Sequence, residues 1–307
     1  MKSAARKFRD KDYLLTAAGL IFNVLGYHHT NDKITAGLKY INGDKWEHSY
    51  LDSINWLKQH HPEYVDRWIE VPLAKIDTHL CPQQRLAELI QTPLVSSDEH
   101  GLLAKSVKLI QKLSEFFRIP IQDFGLTDSL LWGHGTETSD IDVVVYGKSN
   151  ATILLDQLAS LFHEPDFQLI DPRYIQRPPH LEQTEFDNLA TRKKNQGFYQ
   201  GTRFSLRAVR NWNEIGPDPL FQTVGDKELN LTIADHQESM FYPVIYPTKE
   251  NVEIVSFEIG YECVFRPGDL VTVFGQLEES TKGSRILVGS NQGHGQRIQS
   301  RINDPLS

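Results

Sequence analysis

Two carboxylates, Asp140 and Asp142, stand one residue apart at the head of the run DIDVVVYG. On a β-strand alternate side chains share a face, so both acids point one way while Ile141, Val143 and Val145 point the other. The apolar face anchors such a strand and the acidic face is left for chemistry. Paired carboxylates are the hard oxygen donors that Mg²⁺ takes together with substrate phosphates. Two such ions about 3.5 to 4 Å apart can activate an attacking hydroxyl and stabilise the leaving oxygen in phosphoryl or nucleotidyl transfer. A bare D-x-D is also an ordinary turn or strand-edge pattern, so the upstream residues carry the argument. Ser129 stands at the expected start of a short helix, where free N–H groups and the helix dipole favour a phosphate. Gly133 and Gly135 then permit a tight return to the strand.

Ser129 and Gly133 followed by Ser139-Asp140-Ile141-Asp142 resemble the G-S-x(n)-G-x(n)-S-D-x-D signature of the DNA polymerase β-like nucleotidyltransferase superfamily, over residues 125 to 147. More broadly, the chain is similar to a group of uncharacterised predicted nucleotidyltransferases of archaea and some bacteria, with an N-terminal hairpin, a catalytic core and a β-rich tail. The resemblance implies that Ser129, Gly133 and Ser139 bind the triphosphate of an NTP, with ATP the expected one, and that Asp140 and Asp142 are catalytic Mg²⁺ ligands. The implied reaction moves a nucleoside monophosphate from the NTP to an acceptor hydroxyl and releases pyrophosphate. The acceptor stays open among RNA ends, protein hydroxyls and small molecules, because pocket shape outside the signature selects it.

Two positions depart from the pattern. Asp128 occupies the place of the glycine that precedes the serine, adding bulk and a negative charge near a triphosphate; its bland reading is a helix N-cap. A third carboxylate, which the superfamily supplies from a later strand, has its candidate in Asp171 at the end of DFQLID, where a turn residue before Pro172 is the alternative. Arg207 lies within the apolar pattern RFSLRAV, and a guanidinium there needs a partner such as a phosphate or the Asp140/Asp142 pair. These departures keep a second reading in view, a catalytically impaired core that binds nucleotide or RNA.

The elements that must hold these residues suggest an α+β or α/β fold. Residues 12 to 41 read as a β-hairpin about the turn Thr30 to Lys33, followed by short helices at Ser53 to Gln59 and Pro82 to Gln91. A longer helix is expected from Ser96 or Ser97, where Ser96 and Glu99 make a capping box. Strands at 124 to 127 and 140 to 147 and a helix over 151 to 164 complete a mixed-sheet core, and residues 197 to 210 read as two strands about Gln200-Gly201. The segment 172 to 196 reads as polar, with Arg192-Lys193-Lys194 as a solvated face. Four or five short strands beyond residue 220 suggest a small OB-like β-barrel, whose aromatics Phe241, Tyr242, Tyr246 and Tyr261 read as core before they read as base-stacking platforms. The expected domains are 1–95, 96–212 (the nucleotidyltransferase core), 220–300 (the barrel) and a fraying tail over 301–307.

Composition narrows the classes. At 307 residues and 39% hydrophobic content the chain can bury more than one ordinary core. A net charge of −8 disfavours coating nucleic acid by bulk electrostatics. No apolar run approaches the roughly 20 residues that span a bilayer, and the start MKSAARKFRDKDY has no secretory apolar core, so a cytoplasmic protein without membrane partners is expected. Cys81 and Cys263 lie far apart and read as reduced bystanders, and the pairs His28-His29 and His60-His61 lack partners at zinc-site spacing. Nothing in the sequence fixes the oligomeric state.

Overall fold

The computed structural model describes residues 7–30, 32–91, 101–290 and 295–301. The protein is mixed α+β, with several sheets and, among the described residues, five α-helices. It divides into two compact units, residues 1–145 and 146–307.

The first unit opens on three strands rather than the expected two. β1 (Tyr13–Thr16), β2 (Leu20–Val24) and β3 (Lys33–Ile41) form an antiparallel meander. The run read as one hairpin arm reverses at Ala17-Ala18-Gly19, too short a turn for the period-2 pattern to register. β4 (Asp44–Lys45) adds to β3, as does β5 (Glu70–Pro72), and β6 (Ile76–Leu80) pairs with β1. The alternation of β1 splits two clusters. Leu14 faces the main core with Phe22, Val24 and Leu38, against Ile54 and Leu57 of α1 (Tyr50–His60), whereas Tyr13 joins Ile21, Tyr40 and Leu131 on the other face. Helix α1 starts three residues earlier than expected because Ser49 and Asp52 form a reciprocal capping box.

Helix α2 covers Pro82–Gln91 as expected, and α3 runs Leu102–Phe117 from Gly101. The capping box proposed at Ser96 and Glu99 lies outside the described residues. β7 (Phe124–Leu126) and β8 (Ile141–Tyr146) form an antiparallel pair. Gly125 is required there: a Cβ would stand 2.7 Å from the Pro82 carbonyl carbon at the start of α2. No described helix is long and apolar enough to cross a membrane.

His29, whose Nδ1 accepts the Thr35 N–H at 3.3 Å, is half-buried, and burial holds its pKa down at about 4. Its folded value lies below the unfolded one of 6.5, so its contribution to stability is complete above pH 6.5 and is lost as pH falls toward 4. We expect roughly 3 kcal/mol of pH-dependent stability over that window. Urea unfolding at pH 7 and 4.5 checks it: His29→Gln should flatten this part of the pH dependence.

In the second unit α4 (Lys148–Leu161), β9 (Phe167–Leu169) and α5 (Gln183–Ala190) precede the antiparallel strands β10 (Gln196–Tyr199) and β11 (Thr202–Val209), which turn at Gln200-Gly201 as expected. Helix α5 falls in a stretch that reads as polar, and its Phe186 and Leu189 are buried in the unit's core. The basic run is no solvated face. Lys193 is 3% exposed, and Arg192 pairs with Asp269 at 2.5 Å.

The remaining strands, β12 (Gln222–Thr232), β13 (Val244–Tyr246), β14 (Val252–Ser256), β15 (Leu270–Ser280) and β16 (Gly283–Val288), order as β12-β15-β16-β14-β13. β17 (Arg297–Ser300) adds to β15, with Ile298 fully buried. Hydrogen bonds from Ala234 N–H to the Pro247 carbonyl (2.8 Å) and from Lys249 N–H to the Thr232 carbonyl (2.9 Å) tie the end of β12 to the residues after β13. Phe241, Tyr246 and Tyr261 are buried, as their core reading expects, whereas Tyr242 is half-buried.

Candidate functional site

The site in the first unit is built by one backbone continuation. Beyond the pairing of Leu126 with Val143, Thr127 N–H donates to the Asp142 carbonyl at 3.0 Å. That bond lays the turn beginning at Asp128 beside the acidic end of β8. The Thr127 hydroxyl donates to the Lys11 carbonyl at 3.1 Å, fixing the same point to the N-terminal strands. Asp140 is exposed just before β8, and Asp142 is half-buried as its second residue. Val144 and Tyr146, which share the acids' parity, are buried too. The strand is thus apolar on both faces except at the end that carries the carboxylates.

The segment after Thr127 is a single 3-10 turn, Asp128–Leu130, and not the start of an α-helix. Three residues align too few peptide dipoles for the helix-terminus effect expected at Ser129. Leu131 N–H returns to the Asp128 carbonyl (3.1 Å) and His134 N–H to the Ser129 carbonyl (2.9 Å). Gly133 makes the reversal at φ +86°. Ser139 Oγ accepts the Thr136 N–H at 3.0 Å, closing the loop that delivers Asp140.

Asp128 is not the N-cap: Thr127 holds that position. Asp128 adopts φ +53°, the left-handed region in which Gly is free and Asp and Asn are tolerated. The conformation itself explains why a glycine suits this position. The carboxylate accepts the Tyr13 hydroxyl at 2.5 Å and lies 3.4 Å from Lys39 Nζ. Its charge is therefore compensated by a cation, which offsets the repulsion expected toward a triphosphate. Tyr13 is fully buried, and burial first, then Asp128, pushes its phenol pKa well above the usual value.

Lys39 reaches Asp128 through a register shift. Ile21 pairs with Tyr40 but Phe22 pairs with Leu38, so Lys39 is the extra residue of a β-bulge, a device that re-aims a side chain. Tyr40 packs on Trp132 (centroids 4.5 Å apart), which stacks on His134 at 3.6 Å. Burial raises the Tyr40 pKa, and the Asp128 and Asp142 charges raise it further. A cleft of about 300 Å³ opens beside Trp132 and Gly133, walled by Leu15, Leu80 and Leu131 and edged by Arg85. Tyr13, Lys39 and Tyr40 are the residues that sequence reasoning missed; bulges have no period, and the one available signal was the Lys-Tyr pair at the end of β3.

This arrangement sets an order of stabilities. Asp128→Ala keeps the left-handed strain and leaves a buried phenol without its acceptor, a loss of about 1 to 3 kcal/mol. Asp128→Gly loses the same bond but relieves the backbone, and should be more stable than Asp128→Ala by about 1 kcal/mol. Thermal unfolding of the two variants measures the difference, and the reverse order would contradict the left-handed assignment.

Asp171 and Arg207 belong to the second unit. Asp171 caps the turn Pro172–Tyr174, accepting the Arg173 N–H at 3.0 Å, and the Arg173 guanidinium holds its pKa down at about 2. Arg207 Nε lies 3.5 Å from Glu262 Oε1, a carboxylate that also lies 3.5 Å from Lys193 Nζ. Both sequence candidates therefore have a protein partner in their own unit.

Among curated proteins, an uncharacterised protein of Methanocaldococcus jannaschii is similar to this chain. It is 25% identical over 328 aligned positions, covering 93% of this chain and 96% of the relative. The likeness therefore extends through both units. No family model matches the chain, and no solved structure matches it.

Proposed function

We propose that the protein is a Mg²⁺-dependent nucleotidyltransferase that transfers a nucleoside monophosphate from an NTP to an acceptor hydroxyl. The observation that carries this reading is the Thr127-to-Asp142 bond, which joins the Ser129–Gly133 turn to the Asp140–Asp142 strand end. One exposed and one half-buried carboxylate provide hard oxygen donors with room for water and phosphate oxygens, the mixed ligand set that Mg²⁺ prefers. Asp140 and Asp142 would hold the ion, which supplies charge neutralisation at the phosphates and activation of the attacking hydroxyl. The Ser129 hydroxyl and the backbone around Gly133 would receive the triphosphate oxygens, and Lys39, by neutralising Asp128, keeps that carboxylate from repelling them. ATP is the first NTP to try and RNA ends are the first acceptors.

A second reading, a core that binds nucleotide without turning it over, is favoured by the commitment of Asp171 to Arg173. Titration calorimetry with NTP in Mg²⁺ separates the two. The enzyme reading expects binding that weakens sharply in Asp140→Asn/Asp142→Asn, and the binding-protein reading expects affinity that survives both changes. The six-stranded sheet of the second unit fits an OB-like barrel, supported by the bonds between β12 and the residues after β13. With Phe241, Tyr246 and Tyr261 buried and Tyr242 only half-buried, that barrel suits docking better than base stacking.

A further inference from the structure

The strand that carries Tyr13 carries a second cluster on its opposite side. Asp12 precedes β1, His79 lies in β6 opposite Leu14, and Cys81 follows β6 at the entry to α2. A carboxylate oxygen, an imidazole nitrogen and the sulfur of these three residues all lie within 4.8 Å of one another. His79 Nε2 is 3.6 Å from Cys81 Sγ, close to the edge of a tetrahedron with a nitrogen at about 2.0 Å and a sulfur at about 2.3 Å from one ion. Asp12 Oδ2 is occupied, accepting the Arg9 N–H at 3.2 Å and lying 2.8 Å from His79 Nε2. Asp12 Oδ1 is buried without a hydrogen-bond partner among the described residues, and the Asp12 side chain is 2% exposed. A buried, unpartnered carboxylate oxygen is costly unless something meets it. Cys81 also lines the cleft beside Trp132, which gives an ion a way in.

We propose that Asp12, His79 and Cys81 form a site for one Zn²⁺-class transition-metal ion. Mixed oxygen, nitrogen and sulfur donors select a borderline ion rather than Mg²⁺, so the site is distinct in chemistry from the all-oxygen pair Asp140/Asp142. Three protein ligands leave a fourth position for water or a ligand from the cleft. On binding, the Cys81 thiol proton goes to solvent, the imidazole gives up the Nε2 proton shared with Asp12 and keeps one on Nδ1, and the Nε2 lone pair so freed is the one the ion would take. Holding Asp12 in this way fixes the start of β1, and with it the Tyr13 hydroxyl on Asp128.

The test is titration of the chelator-stripped, full-length protein with Co²⁺ in excess Mg²⁺. We expect one equivalent of Co²⁺ to give thiolate-to-cobalt charge-transfer absorption and the visible bands of a tetrahedral site, both bleached by Zn²⁺. Cys81→Ser should abolish the charge-transfer band. His79→Gln should weaken Co²⁺ binding by more than the roughly 10- to 100-fold that loss of an outer-shell partner costs. Asp140→Asn/Asp142→Asn should leave the band intact. The proposal is overturned if the wild type shows no thiolate band, if Cys81→Ser retains it, or if the double variant loses it.

Discussion

Asp142→Ala is expected to lower Mg²⁺-dependent pyrophosphate release from NTP by about 10³-fold, with little loss of stability. The magnitude follows from what a metal contributes to a phosphoryl transition state, several kcal/mol of charge stabilisation, at 1.36 kcal/mol per factor of ten. The stability argument is local. Asp142 helps to hold the fold through its carbonyl, which accepts the Thr127 N–H, and alanine keeps that carbonyl. Its side chain is half-buried, so removing it opens no closed cavity. Asp140→Ala should fall in the same range, since one ligand cannot replace the other when both share an ion. Initial rates at saturating Mg²⁺ measure both, with circular dichroism to show that the variants are folded. A loss of under tenfold in either would remove that carboxylate from the metal site.

Glu262→Gln is expected to cost about 3 to 5 kcal/mol, the usual penalty for leaving buried charge without its partner. Glu262 and Lys193 have side chains each 1% exposed, and Arg207 is 17% exposed, so the carboxylate is the anion between two largely buried cations. Asn195 Nδ2 lies 3.4 Å from Glu262 Oε2, and Lys193 Nζ donates to the Ile259 carbonyl at 2.6 Å. An amide keeps hydrogen bonds but supplies no charge. Burial lowers the Lys193 pKa below 10.5, although Glu262 raises it in part. The sign follows: with a folded value below the unfolded one, stability rises with pH between the folded value and 10.5. Glu262→Gln deepens that depression, so its defect should be largest at neutral pH and shrink as pH approaches 10.5. Urea melts at pH 7 and pH 10 test this directly, and a pH-independent defect would contradict it.

How much of this was legible depended on the kind of signal. Helix α2 and the turn at Gln200-Gly201 stand where periodicity and turn residues place them, because proline and glycine act locally. The strand behind the acid pair was legible because the apolar run Ile141 to Tyr146 is itself a local pattern. Asp128 was misread because N-cap preference and tolerance of positive φ favour the same residue type, and only the backbone separates them. Lys193 was misread because a charged run looks solvated until the 3-10 turn Ile259–Tyr261, and Glu262 just after it, are folded beside it. Helix α5 was missed because Phe186, Leu189 and Ala190 are few apolar positions in a polar context, and their burial depends on strands far along the chain. His79 and Cys81 stand in plain view as H-L-C, but Asp12 joins them only through the pairing of β1 with β6.

The most direct measurement of the central claim is pyrophosphate release by the wild-type protein from each of the four labelled NTPs, with Mg²⁺ and with a chelator in its place. RNA, protein and small-molecule hydroxyls should be offered as acceptors. The nucleotidyltransferase reading expects Mg²⁺-dependent release with transfer of the labelled nucleoside monophosphate to an acceptor, abolished in Asp140→Ala/Asp142→Ala. Equal release by wild type and double variant, or none from wild type with any acceptor offered, would contradict it.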